Sequence, residues 1–144
     1  MGVVALGLAA YALTRSQDAL LRGAALPLAL IALIQLGVGG GVYVRSPKDI
    51  ARVQYIVQTE PQRVRSEEIP RMQVVMRNFV LYRWIEIGLI VAALLLCLLA
   101  PGGSAWRGAG IGALIQAGLM LALDIFAERR GKLYLDWLGS LPAG

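Results

Sequence analysis

The chain has no histidine and a single cysteine. Without histidine it lacks the commonest metal ligand and the commonest general base at neutral pH. The lone Cys97 excludes an intramolecular disulfide, and inside an apolar run it reads as small apolar filler. Charge is scarce too, at 16 % of residues. No acidic cluster has metal-site spacing, and no glycine-rich phosphate loop leads into a helix. Ser104 lies in a turn with no base to activate it. The expectation is therefore no enzyme: no catalytic residue, no cofactor and no metal. Glu86 with Asp124 is the one acid pair a membrane enzyme would have to use.

What is present is apolar surface, 58 % of 144 residues, at a mean hydropathy of +0.65. A water-soluble domain of this size has too much surface for its volume to hide so much. The apolar residues also come in long blocks, whereas amphipathic core helices show spaced stripes. Lipid is the solvent this composition expects. The net charge of +5 then reads as orientation and contact with anionic headgroups. No basic stripe with interleaved aromatics appears on a polar segment, so nucleic acid is not an expected partner.

The blocks predict an all-α integral membrane protein, one membrane domain over 1–144. It is a four-transmembrane-helix bundle with a cytoplasmic helical extension between the second and third spans. The spans fall at about 2–14, 23–44, 79–100 and 108–126, with a polar helical loop at 45–78 and an interfacial tail at 127–144. The first block is short, about 18 Å to Leu13, and lacks a basic start and a small-x-small cleavage site. It reads as a short span closed by Tyr11 and Arg15 rather than as a signal peptide. The second has the length a spanning helix requires, with Pro27 in its first turns. Gly37 and Gly41 form a GxxxG pair there, which predicts close helix packing, as do the glycines at 108 and 112 in the last span.

In the loop, Ser46-Pro47-Lys48-Asp49 reads as a helix start, with Ser46 as N-cap and Pro47 at the first position. Ile50, Val53, Ile56 and Val57 would line one face of an amphipathic helix suited to a membrane surface. Glu60-Pro61 ends it. A second break is expected near Ser66–Pro70, followed by a helix of about 50 Å running to Ala100. Pro101-Gly102-Gly103-Ser104 is a turn. Tyr134 and Trp137 suit headgroup level. With four spans, the loop and tail share one side and carry most of the Lys and Arg. Arg15, Arg22 and Arg107 lie opposite. The positive-inside rule then places both termini and the loop in the cytoplasm, in a bacterial inner membrane.

Alternation of the spans brings acids and bases to one depth near that side: Arg45, Arg83, Glu86, Asp124, Glu128, Arg129 and Arg130. Carboxylates at such a depth call for cations, so Arg83 should touch Glu86 three residues on, or Asp124 should pair across helices with Arg83 or Arg45. A paired layer that locks helices together is favoured over a functional acid. Gln35 and Gln116 fall near mid-bilayer, where two carboxamides can hydrogen-bond across helices.

The leading expectation is a protein that binds a partner, or a second copy of itself, in or at the membrane. An immunity protein against a membrane-active toxin and an accessory subunit are two forms of it. The alternatives are a small oligomeric transporter or channel using Glu86 and Asp124, and a surface sensor docking its 46–59 helix on anionic lipid.

Overall fold

Long apolar blocks satisfy their backbone amides most simply within the segment itself, and the chain does so with helices. The computed structural model describes residues 2–141, which contain helices and turns and no strand. Helix α1 spans Gly2–Arg15 and α2 spans Ala19–Thr59. Between them Asp18 caps α2: its carboxylate accepts from the Leu20 amide at 2.9 Å, while its own amide donates to Ser16 Oγ at 3.1 Å. This satisfies an amide that a helix start leaves open.

Helix α2 runs unbroken through Ser46 and Pro47, so the expected helix start there is absent. Proline forfeits only one backbone bond, and the helix beyond it is anchored by buried Ile56 and by Arg52, held by Glu68. Pro27 likewise lies in the helix interior, since α2 begins at Ala19.

The break at Glu60 is real, with φ −137° and ψ 63°, and Pro61 opens the short α3, Pro61–Arg63. Where a second helix start was expected, Val64–Glu68 instead forms a π-helical turn in which the Ile69 amide donates to Val64 O. Pro70 has no amide to offer Ser66, so the turn widens and the chain stays helical. Helix α4, Ile69–Leu99, follows directly. Gly103 supplies the positive φ, 71°, of the turn after it. Ser104 then caps α5, Ala105–Ser140, accepting from the Arg107 amide at 3.2 Å. The C-terminal tail is thus a continuation of α5 as far as Ser140.

Three helical stretches are long and apolar enough to cross a membrane: α2, the run Pro61–Leu99 and α5. Helix α1 is apolar but shorter, at 14 residues. The chain divides into two units, Met1–Gly40 with Trp84–Leu121, and Gly41–Arg83 with Ala122–Gly144.

The first unit buries small residues. Its buried apolar positions are Ala5, Ala9, Ala25, Ala32, Ala93 and Ala117, joined by glycines 2, 23, 108, 110 and 112. Its leucines and isoleucines, such as Leu26, Leu30, Leu94 and Leu98, face outward. The second unit buries Ile56, Val64, Met72 and Leu138, with Val57, Ile69, Val75 and Leu135 packed around them.

Candidate functional site

In the second unit the π turn aims Glu68 inward, where it is 1 % exposed. Three helices supply its partners. Arg52 of α2 donates from Nη2 to Oε2 at 2.5 Å. Arg71 of α4 donates from Nε to Oε2 at 3.0 Å and from Nη2 to Oε1 at 2.5 Å. From α5, the Tyr134 hydroxyl donates to Oε1 at 3.2 Å. Burial pushes the Glu68 carboxyl up, but the hydrogen bonds and charge of Arg71 and Arg52 together outweigh it. The group is held below the usual carboxylate range. The same contact raises Arg71. Burial, then the neighbouring Glu68 charge and hydrogen bond, push the Tyr134 hydroxyl up to about 12. Glu68 is therefore an ionised acceptor that ties α2, α4 and α5 together.

A second carboxylate repeats the arrangement. Glu128 is 6 % exposed; its Oε2 meets Arg83 Nη2 of α4, and its Oε1 accepts from Lys132 Nζ at 2.8 Å. Near the surface, Arg63 bridges Glu60 and Glu67, each at 2.9 Å. That contact raises Arg63 and lowers Glu67.

Of the residues expected in one polar layer, the structure brings Arg83 and Glu128 together. Arg45, Arg129 and Arg130 are exposed, and Asp124 is half-buried. None of these four forms an ion pair among the described residues. The cross-helix pairing expected of Asp124 is therefore not formed; Arg83 reaches the acid one turn later in α5. Glu86 belongs to the other unit, where it is buried at 3 % exposure.

Gln116 is buried in that first unit as well. Gln35 is half-buried, and its Oε1 has no hydrogen-bond partner among the described residues. The carboxamide pair expected between them is not made.

Glycines divide sharply. A Cβ on Gly108 would overlap Leu20 O, one on Gly112 would overlap Ala24 O, and one on Gly23 would overlap Ala105 O. At Gly110 it would lie 2.8 Å from Cys97 Sγ and 3.0 Å from Ala93 O. The absent side chains let α5 press on the backbones of α2 and α4. At Gly37 and Gly41, and at Gly39 and Gly40 between them, a Cβ would meet nothing within 4 Å. Among the described residues, the internal packing expected of the Gly37–Gly41 pair is not made. Helix α5 uses the start of α2, around Leu20 and Ala24.

Sequence reasoning missed Glu68, Arg52, Arg71 and Tyr134 as one cluster. The three-residue spacing of Glu68 and Arg71 is a local signal for a contact. Arg52 and Tyr134 lie 16 and 66 positions from Glu68, and no spacing rule reaches that far. No family model, curated protein or solved structure matches this chain.

Proposed function

We propose that the chain is a membrane protein of the bacterial inner membrane that acts by binding a transmembrane helix of a protein partner. The glycine face of α2 carries this reading. Four glycines within five residues, Gly37, Gly39, Gly40 and Gly41, each weaken a helix interior by about 1 kcal/mol relative to alanine. Among the described residues nothing fills the space they leave. In lipid, such a face gains from close approach of another backbone, because dispersion and interhelical contacts replace the missing hydrophobic drive. Small buried residues and outward leucines in the first unit support its residence in the bilayer. The basic residues of 45–78 and of the tail belong to the second unit, which favours a cytoplasmic location for it and for both termini.

The full chain, recovered from native membranes in mild detergent, should bring a membrane protein with it. Gly40→Leu should abolish that recovery without lowering the thermal midpoint of the chain itself. A wild-type chain recovered only as free monomer would refute the proposal, as would a partner retained by Gly40→Leu.

A further inference from the structure

The second unit carries a groove of about 860 Å³ beside the Glu68 cluster. Its lining begins at Val42 and Arg45, where the apolar block of α2 gives way to charge. Three guanidinium groups line it, those of Arg45, Arg52 and Arg71, against one carboxylate, Asp49. Counting Glu68 beneath them, the wall keeps a positive balance. Arg45 is exposed and forms no ion pair among the described residues. Arg52 is tied to Glu68 through Nη2, and Arg71 through Nε and Nη2; Nη1 of neither forms a hydrogen bond or ion pair among the described residues.

Helix α5 adds aromatic lining. Tyr134 and Trp137 stack with ring centroids 5.8 Å apart. Such rings favour the level of lipid headgroups, where one edge is wet and the other apolar. Ile50 and Val53 add apolar lining. Val42 at the groove's edge and Tyr43 and Val44 beside it are 62 %, 82 % and 70 % exposed, an apolar stretch of α2 next to the groove.

We propose that this groove binds the headgroup phosphate of an anionic phospholipid. Planar guanidinium groups match phosphate oxygens in a forked geometry. A basic pocket between helices, next to an apolar track, serves a phosphate that carries acyl chains better than a free one. The binding is of a single lipid, held at a defined place, and differs from the diffuse attraction of a charged helix to a surface. It rests on the membrane reading above but does not depend on the partner helix, and its readout is lipid.

The test uses the full chain in mild detergent, titrated with phosphatidylglycerol or phosphatidylcholine, with bound lipid counted by native mass spectrometry. Phosphatidylglycerol should bind and phosphatidylcholine should not. Arg45→Gln should weaken phosphatidylglycerol about fivefold, and Asp49→Asn should strengthen it by a similar factor. Neither residue forms an ion pair among the described residues, and Asp49 reaches the cluster only through its charge on Arg71, so thermal midpoints should shift little. Should Arg45→Gln fail to fold, Asp49→Asn still decides the matter: an unchanged affinity there overturns the proposal. Equal binding of the two lipids also overturns it, as does displacement of the lipid by millimolar inorganic phosphate, which would assign the groove to a free anion. Two chains per complex with no lipid bound would assign it to a second copy and overturn it equally.

Discussion

The first unit hides alanine and glycine and turns leucine outward; the second hides isoleucine, valine, methionine and leucine and turns arginine outward. The same three long helices contribute to both, so the difference is not one of secondary structure; on the membrane reading proposed above it is one of solvent. In water, a core is stabilised by removing large apolar side chains from contact with the solvent. In lipid that gain vanishes, and contact between helices improves as their side chains shrink. The two regions should therefore fail in opposite ways. Truncation should damage the second unit, and enlargement should damage the first.

The largest expected effect is in the second unit. Leu138→Ala should cost about 2–5 kcal/mol, the range for emptying a buried leucine site. Chemical denaturation in detergent micelles, followed by a probe in the 122–141 segment, measures it. Enlargement comes next: Gly112→Leu should cost about 3 kcal/mol, because the new side chain meets the Ala24 backbone, which has little room to yield. If Ala117→Gly, a truncation in the same unit, proved as damaging as Leu138→Ala, the contrast between the units would collapse.

Smaller effects sharpen the picture of the Glu68 cluster. Glu68→Gln should cost about 1–3 kcal/mol, since the acceptor keeps its shape but loses its charge. Arg52 and Arg71 are partly exposed, and water screens what they would lose. The pH dependence follows from the direction of each shift. Glu68 titrates lower in the folded chain, so its contribution is whole above the ordinary glutamate value near ~4.3. It fades as pH falls through the depressed folded value. Tyr134 behaves the other way. Its contribution holds below the ordinary tyrosine value near ~10 and is lost as pH rises towards about 12. Tyr134→Phe should cost about 1 kcal/mol and flatten the alkaline limb of a melting-temperature profile. Smallest of all, Gly39→Ala should leave stability unchanged or raise it by up to ~1 kcal/mol, since its methyl meets open space.

Much of the helical layout was legible because it rests on local or summed properties. Long apolar blocks specify helices for lipid, and the Pro101–Ser104 turn carries its own chemistry in Gly103 and the Ser104 cap. Ser46 and Pro47 misled because capping rules describe where a helix is able to begin, and distant packing decides whether it needs to. Close contact was read from small residues at both 37/41 and 108/112. Only at 108 and 112 does a neighbouring backbone of this chain occupy the space. A glycine pattern tells that a backbone can approach, and says nothing of whose. The polar clusters were least legible. Arg83 had several acids within plausible reach, and the choice of Glu128 over Asp124 depends on how α4 and α5 rotate about their axes.

Rotation is also what the π turn controls. Val64 and Met72, eight positions apart in the sequence, would stand about 80° out of phase on an uninterrupted α-helix at 3.6 residues per turn. The wide turn absorbs roughly one residue and brings both onto the buried side, where they are 2 % and 8 % exposed. The segment thus works as a vernier, setting the azimuth of α3 against that of α4. Inserting one more residue into 64–68 would exceed what the turn absorbs and swing everything upstream by about a quarter turn. The Arg63 bridge and the Val64 plug would then face the wrong way, although no side chain in the core had been changed.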